Sequence, residues 1–162
     1  KRIAESLCFD FNRIYDLDIK VARIFNTYGP KMSFNDGRVI SNFICQSLQN
    51  KPFTIFGKGD QSRSFCYVDD LVEGLIKLMN SDQRGPINLG NPEEITVMNL
   101  ALLINGKVGN EFRYNEISLP KDDPIKRKPN IYKALDSINW EPNYSLSDGL
   151  DLTIEYFKKI LK

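Results

Sequence analysis

The chain has 162 residues, enough for one domain with a sizeable core, and its 41% hydrophobic and 27% charged content is ordinary for a globular protein. A formal net charge of +1 gives no support to nucleic acid or a membrane surface as a partner. No apolar run is long enough to span a bilayer.

The reactive side chains narrow the chemistry further. The sequence has no histidine and three widely spaced cysteines, Cys8, Cys45 and Cys66. Ser-His-Asp triads, Cys-His pairs and His-ligated metals are therefore excluded within this chain, and no metal site is expected. Acid–base chemistry is left to Lys, Tyr, Cys, Asp and Glu. Cysteines that are odd in number and lack CxxC spacing favour a reducing, cytoplasmic setting.

The first predicted elements are a helix and a strand. Apolar spacing predicts a helix over residues 1–15, with an apolar face so wide that we expect burial on more than one side. This helix has no N-cap residue, which suggests that an upstream part is missing. A buried strand is predicted to end at Phe25, followed by a loop at 26–30, a helix at 38–49 and a short strand at 53–56.

The rest of the chain continues the alternation of strands and helices. Residues 57–61 predict a turn, 64–68 an extended run, and Asp69 or Asp70 the N-cap of a helix that reaches about Asn80. The later elements are a strand at 86–89, a helix opened by Thr96, a strand near 111–115, a polar stretch at 119–129, and helices at 131–137 and 146–161. This alternation predicts the α/β fold class.

The most informative run is Gly57-Lys58-Gly59-Asp60-Gln61-Ser62-Arg63, followed closely by Tyr67-Val68-Asp69-Asp70. Its glycines permit a tight turn, and an arginine at the end of an element can grip a phosphate with its planar fork. From the residues alone, a turn with a solvated arginine is the commoner outcome. The run resembles the signature of the extended short-chain dehydrogenase/reductase (NAD-dependent epimerase/dehydratase) family, which acts on nucleotide sugars. The resemblance implies that Arg63 binds the substrate diphosphate and that Thr54 and Phe56 line a nucleobase pocket.

A second stretch, Arg23-Ile24-Phe25-Asn26-Thr27-Tyr28-Gly29-Pro30, is similar to the same family. It follows a strand, where ligands of α/β proteins collect, although a plain strand exit would have the same residues. The resemblance implies that Asn26 contacts the sugar or diphosphate and that Thr27, Tyr28 and Pro30 lie beside the nicotinamide of NAD. It also implies that Arg38 and Val39 close over the nucleotide and the cofactor.

Lys1 opens a Lys-Arg-Ile-Ala-Glu segment that resembles the family's sequence from the lysine of its Tyr-x-x-x-Lys motif onward. In that pattern the lysine holds the nicotinamide ribose and lowers the pKa of the tyrosine. By resemblance Lys1 is this catalytic and cofactor-binding lysine, and its tyrosine precedes the chain. The alternative is an ordinary solvent-facing lysine. No GxGxxG or GxxGxxG loop for a dinucleotide occurs in the sequence.

The run Asp122-Asp123-Pro124-Ile125-Lys126-Arg127-Lys128-Pro129-Asn130 and the segment around Arg38 resemble the UDP-glucuronate decarboxylases of this family in particular. The resemblance implies a catalytic Arg127 that faces the substrate carboxylate or diphosphate, whereas composition alone favours a solvated charge run. Decarboxylases usually have aspartate where this chain has Asn130, which leaves the local salt bridges in doubt. Asn88, in a run matching the family's Asn-x-Gly turn, is a further candidate for contact with the diphosphate.

The resemblance also implies an organisation and a function. Residues 1–37 would end a Rossmann domain, and residues 38–162 would be mostly the smaller substrate domain, with some segments returning to the Rossmann sheet. The implied activity is decarboxylation of UDP-glucuronate to UDP-xylose with NAD as cofactor. The implied assembly is a homodimer formed through the helix at 1–15, with a UDP-sugar as ligand and no nucleic-acid or membrane partner. A nucleotide-sugar 4,6-dehydratase or 4-epimerase, and a non-catalytic nucleotide-sugar-binding remnant, are the alternatives.

Overall fold

The computed structural model describes residues 2–120, 124 and 126–161. Within them the helices are Arg2–Tyr15 (α1), Val39–Leu48 (α2), Val68–Met79 (α3), Val97–Val108 (α4), Tyr132–Ile138 (α5) and Leu146–Ile160 (α6). The strands are Ala22–Ile24 (β1), Thr27–Tyr28 (β2), Phe53–Phe56 (β3), Ser62–Arg63 (β4), Cys66–Tyr67 (β5), Ile87–Leu89 (β6), Ile95–Thr96 (β7), Tyr114–Ile117 (β8) and Lys126–Arg127 (β9). The predicted α/β class is confirmed. Across the described residues, no helix combines the length and apolar character that crossing a membrane requires.

The strands form four small sheets, and most of their pairings are parallel. β1 pairs with β6, β2 with β5, and β3 with β8, each in parallel. The fourth sheet has the order β7-β4-β9, in which β4 is antiparallel to β7 and parallel to β9. Every pairing joins segments that are distant in sequence, so the fold depends on long-range contacts rather than on hairpins.

Two hydrophobic cores hold these elements together. The larger core lies between β3 and helices α2, α4 and α6, and includes Phe43, Ile55, Leu100 and Phe157. The smaller core lies around β6 and α3 and is centred on Trp140, which is fully buried. Residues at helical spacing supply most of the larger core, which is why its helices were predictable from periodicity.

Helix α1 confirms the predicted helix, but its expected burial is wrong for this chain. None of its residues is buried, and Ile3 and Ile14 are 77% and 69% exposed. β1, expected to be a buried strand, likewise leaves Ile24 exposed. The Arg23 guanidinium donates two hydrogen bonds to the Glu5 carboxylate, at 2.8 and 2.6 Å, and so ties α1 to β1. The apolar face of α1 therefore lies open, with only a polar link described between it and the next strand.

Two strand predictions need correction, and one helix start is confirmed. Residues 26–30 are not simply a loop, because Thr27–Tyr28 pairs as β2 with β5, and a strand of two residues leaves no period to detect. The strand expected at 111–115 is Tyr114–Ile117, whose four residues are all exposed and so lack hydrophobic alternation. Thr96 caps α4 as predicted, since its hydroxyl accepts the backbone N–H of Asn99.

The predicted cap of α3 by Asp69 or Asp70 is wrong. The N-cap residue is Tyr67, and both aspartates lie in the first helical turn. The Asp70 carboxylate, only 2% exposed, instead accepts the backbone N–H groups of Asn143 and Tyr144 at 2.9 and 3.1 Å. The Asp70 carbonyl accepts the indole N–H of Trp140 at 2.9 Å. Asp70 therefore anchors the segment before α6 to the start of α3.

We predict that Asp70→Asn lowers the free energy of unfolding by roughly 1.5–3 kcal/mol, because one amide N–H then faces a backbone N–H donor at a buried site. Urea denaturation measures the change. Asp69→Asn is the matched control, since it removes the same charge from the same helical turn at an exposed position. Equal losses from the two variants would show that the anchoring bonds contribute nothing.

Candidate functional site: an arginine-lined cleft

The register between β4 and β9 places two arginines side by side. Ser62 lies opposite Lys126, and Arg63 lies opposite Arg127. Neighbouring strands are about 4.8 Å apart, and successive side chains of a strand point to opposite faces. Arg63 and Arg127 therefore share one face of the β7-β4-β9 sheet. Guanidinium groups bind anions through planar, two-pronged hydrogen bonds, so this face of the sheet carries two groups suited to an anionic ligand.

A cleft of about 510 Å³ lies against these two arginines. Its lining brings together six of the residues singled out from the sequence: Asn26, Thr27, Arg38, Val39, Arg63 and Arg127. Ile24, Phe25, Met32, Ile40 and Phe65 supply the apolar part of the wall. Three guanidinium groups from three separate elements thus line one concave surface, which is a suitable site for a ligand with more than one anionic group.

Arg38 is held at the start of α2 by an acidic neighbour. Arg38 is the N-cap residue, and its backbone N–H donates to Asp36 Oδ1 at 3.0 Å. The Asp36 carboxylate also accepts the Ser41 hydroxyl and lies 3.6 Å from Arg38 Nε. Because the positive end of a helix disfavours a cation, Asp36 offsets the cost of placing Arg38 there. The sequence analysis did not identify this role of Asp36.

Asn26 links the strand that ends beside the cleft to the segment that carries Arg63. The side-chain amide of Asn26 donates to the carbonyl of Ser64 at 3.3 Å, and the backbone carbonyl of Asn26 accepts the backbone N–H of Cys66 at 2.8 Å. These bonds fix the separation between β2 and the β4–β5 segment. Asn26 therefore shapes the cleft as well as lining it.

A second cleft of about 410 Å³ adjoins the first and shares Val39 and Arg63 with it. It contains the predicted nucleobase residues Thr54 and Phe56. Gln46 on α2 holds Thr54 in place: its carbonyl accepts the Thr54 backbone N–H at 3.1 Å, and its amide donates to the Thr54 hydroxyl at 2.9 Å. The sequence analysis missed Gln46. The sequence did contain a signal for Gln46, because helical spacing places it on the same face of α2 as Val39 and Asn42.

A third cleft of about 530 Å³ shares Thr27 and Arg38 with the first and includes the predicted Tyr28 and Pro30. Tyr28 is a core residue whose hydroxyl donates to the carbonyl of Leu146 at 3.2 Å. A Cβ at Gly149 would clash with that hydroxyl, so glycine is required for this packing. Burial raises the pKa of Tyr28 above its ordinary value. Its ring can line a ligand site, but its hydroxyl serves the fold.

Two other predicted residues lie apart from the clefts or outside the structure. The Asn88 side chain donates to the carbonyl of Asn130 at 2.9 Å, and Asn88 does not line the three clefts described above. Asn130 in turn accepts the backbone N–H of Tyr132 through its side chain, a local role that needs no negative charge. Lys1 lies outside the described residues, as do Asp122 and Asp123.

Glu94 supports the arginine pair from the opposite face of the sheet and was also missed from the sequence. Its carboxylate accepts the Ser62 hydroxyl at 2.8 Å and lies 3.1 Å from Lys126 Nζ and 3.7 Å from Lys128 Nζ. The hydrogen bond from Ser62, followed by the bond and charge of Lys126, lowers the pKa of Glu94. Glu94 is therefore a stable anion between β4 and β9.

The Cys66 thiol is not poised for catalysis. Cys66 is fully buried within the smaller core, and burial, reinforced by the charge of Asp70, raises its pKa to about 12. A neutral, buried thiol is a poor nucleophile. Within the described part of the chain, no three His, Cys, Asp or Glu side chains come together as a metal site would need.

Short, mostly parallel strands packed on helices, with clefts beside the strands, place this chain among the α/β proteins. Residues 1–90 match the NAD dependent epimerase/dehydratase family. The chain belongs to that family, and the resemblance inferred from its motifs is confirmed.

Individual relatives are named as UDP-glucuronic acid decarboxylases. UDP-glucuronic acid decarboxylase 1 of Xenopus tropicalis is 48% identical over 162 residues, which is 100% of this chain and 38% of that protein. UDP-glucuronic acid decarboxylase 6 of Arabidopsis thaliana is 48% identical over 158 residues, covering 98% of this chain and 46% of that protein. The chain thus spans less than half the length of these curated relatives.

Solved structures of nucleotide-sugar enzymes share the fold. The UDP-glucose 4-epimerase of Thermotoga maritima, solved with UDP-glucose, superposes with a TM-score of 0.96 at 32% identity, covering 100% of this chain and 53% of that one. The UDP-glucuronic acid 4-epimerase of Bacillus cereus, solved with UDP-glucuronic acid and NAD, has a TM-score of 0.88 at 29% identity, covering 96% and 50%.

Proposed function

We propose that this chain forms the substrate-binding part of an NAD-dependent decarboxylase that converts UDP-glucuronate into UDP-xylose and carbon dioxide. The observation that carries the proposal is the pairing of Arg63 with Arg127 on one sheet face, next to the cleft that contains Thr54 and Phe56. One arginine suits a diphosphate. A second arginine further from the base pocket suits a second anion, such as the carboxylate of a uronic acid.

Arg63 and Arg127 would have different tasks in this reaction. The chemistry that bound NAD supplies is removal of a hydride from C4 of the sugar and its later return. The C4 ketone lies β to the carboxylate, so the C5–C6 bond can break, its electron pair entering an enolate while carbon dioxide leaves. C5 then takes up a proton. Arg127 would hold the carboxylate and stabilise the charge as it moves, whereas Arg63 would hold the unchanging diphosphate.

The third cleft fits one wall of an NAD site. Thr27, Gly29 and Pro30 bring backbone close to it, Met32 and Val68 give it apolar surface, and Arg38 adds a cation. A flat ring with a nearby phosphate suits that lining. The sequence has no glycine-rich loop to hold the rest of a dinucleotide, so this chain would supply one wall only.

We further propose the domain roles, the position of Lys1 and the cellular location. Residues 1–37 would belong to the dinucleotide-binding domain and residues 38–162 mostly to the substrate domain. β6 and α3 would return to the first domain, a division supported by their packing against β1. Lys1 would hold the nicotinamide ribose. A cytoplasmic location suits the three free thiols.

We predict that the 162-residue chain alone gives no UDP-xylose when incubated with UDP-glucuronate and NAD, because it has no dinucleotide-binding loop. A chimera in which it replaces the matching segment of the Xenopus tropicalis relative should release carbon dioxide and form UDP-xylose, measured by chromatography. Substantial product from the chain alone would contradict the proposed division of the site. A chimera that returned only the 4-epimer of the substrate would favour an epimerase.

We predict that Arg63→Ala weakens UDP binding about ten- to a hundredfold, since a charge-assisted hydrogen bond contributes about 1.5–3 kcal/mol. Arg127→Ala should leave UDP affinity nearly unchanged and lower kcat of the chimera by a similar factor. Calorimetry with UDP and steady-state assays separate the two effects. Arg84→Ala, an exposed arginine outside the three clefts, is the control. If Arg127→Ala weakens UDP binding as Arg63→Ala does and spares kcat, Arg127 is a phosphate ligand and the decarboxylase proposal loses its main support.

The exposed face of α1 supports a homodimer. Ile3, Leu7, Phe11 and Ile14 lie on it at 77, 51, 48 and 69% exposure. An apolar stripe of this length on a helix normally packs against another element. Pairing with the same helix of a second copy would bury the stripe in a symmetric interface.

We predict that the chimera sediments as a dimer at micromolar concentration and that Phe11→Glu combined with Ile14→Glu yields monomers, because two buried charges would oppose association. Sedimentation velocity gives the answer. Met79→Glu, which adds a charge at an exposed apolar residue of α3, should leave the dimer intact. A wild-type monomer, or a dimer unaffected by the α1 charges, would contradict the proposed interface.

A further inference from the structure

Glu94 lies just before β7 and makes side-chain contacts with the two other strands of the same small sheet, β4 and β9. It accepts the hydroxyl of Ser62, the first residue of β4, at 2.8 Å. It also lies 3.1 Å from the ammonium of Lys126 in β9 and 3.7 Å from that of Lys128. The Glu94 side chain is only 20% exposed, whereas the two lysines are 67% and 48% exposed. One partly buried carboxylate thus contacts side chains of β4 and β9 and that of Lys128, the residue directly after β9.

The alternation of a strand determines what this contact does to Arg127. Lys126 and Lys128 flank Arg127, and both of their side chains lie on the side of the sheet that carries Glu94. Because side chains alternate along an extended chain, Arg127 is directed to the opposite face. The register supports this placement, because Ser62 and Lys126 are paired and both contact Glu94, while Arg63 and Arg127 are paired and both line the cleft. The Ser64 hydroxyl, which donates to the Arg127 carbonyl at 3.3 Å, fixes the backbone from the β4 side.

Charge gives Glu94 a second effect. Residues 126–128 are three consecutive cations, and any of them could approach an anionic ligand in the cleft. With Lys126 and Lys128 paired to Glu94, Arg127 is the member of the run that lines the cleft. Arginine differs from lysine in presenting a planar, two-pronged donor that matches a carboxylate. Because Glu94 keeps both lysines away from the cleft, the Arg127 guanidinium is the group that would meet the carboxylate at the sugar end of the ligand.

We propose that Glu94 is a positioning residue that sets specificity for a uronic acid: by holding Lys126 and Lys128 on the far face of the sheet, it aims Arg127 at the carboxylate of the sugar. The proposal rests on the proposed function, in which UDP-glucuronate is the ligand. Glu94 itself does not touch the ligand. Its contribution to folding is expected to be small, because ion pairs with exposed lysines stabilise proteins weakly. The orientation of a two-pronged contact is more sensitive, since displacements of about 1 Å have large effects.

The test measures the affinities of the 162-residue chain for UDP, UDP-glucuronate and UDP-glucose by calorimetry. Glu94→Gln should lower the preference for UDP-glucuronate over UDP-glucose about three- to tenfold and leave UDP affinity within about twofold. Glu93→Gln removes the same charge from the adjacent residue and should change neither quantity. In an Arg127→Ala background, Glu94→Gln should have no further effect on the preference, because the group that it positions is gone.

A second variant guards against misfolding of the first. Lys126→Gln combined with Lys128→Gln removes both ion pairs with Glu94 while Glu94 itself stays in place. This double variant should also lower the preference for UDP-glucuronate over UDP-glucose. A wild-type preference that survives both the Glu94 and the lysine variants would overturn this proposal alone. Equal losses for UDP and both sugars in Glu94→Gln would also overturn it, since they indicate a purely structural role. A wild-type chain that binds UDP but does not distinguish the two sugars would overturn the proposed function and this inference with it.

Discussion

The parallel register of β4 and β9 is the constraint on which the site depends. It sets Arg63 opposite Arg127, on strands whose backbones lie about 4.8 Å apart. Both side chains are thereby directed to the same face of the sheet, where the cleft lies. On the far face, Glu94 accepts the Ser62 hydroxyl and pairs with Lys126. A slip of β9 by one residue would turn Arg127 to the opposite face from Arg63 and abolish the pair.

Helix α2 contributes to all three clefts, through the residue at its start and through one side. Arg38 at the N-cap borders the first and third clefts, and Asp36 makes a cation tolerable there. Two turns further on, Gln46 fixes Thr54 in the second cleft through two hydrogen bonds. One helix thus borders both the second cleft and the arginine cleft, while its apolar residues Phe43 and Ile44 anchor it in the larger core.

Much of this arrangement could be predicted from the sequence, and the misses have a common cause. Periodicity found the helices, and family-like motifs found Asn26, Arg38, Arg63 and Arg127, which the fold brings into one cleft. The roles of Asp70 and Glu94 depend on partners about 30 or more residues away in sequence, which no local pattern reveals. The α1 face was expected to be buried because periodicity reports that a face is apolar and does not report what covers it.

The three clefts are connected through shared residues, and this sharing suggests how binding energy would be used. Arg63 and Val39 line both the second cleft and the arginine cleft, while Thr27, Met32 and Arg38 line both the arginine cleft and the third cleft. A nucleotide sugar lying across the first two clefts would be anchored at its unreactive end by Phe56 and Arg63. Binding there can position the sugar against Arg127 and the third cleft, where the chemistry would occur. The binding energy would then come from a part of the ligand that does not react. Under the proposed function, uniform binding at one end of the ligand and oriented, charge-specific contact at the other would be separate tasks of neighbouring arginines in a single sheet.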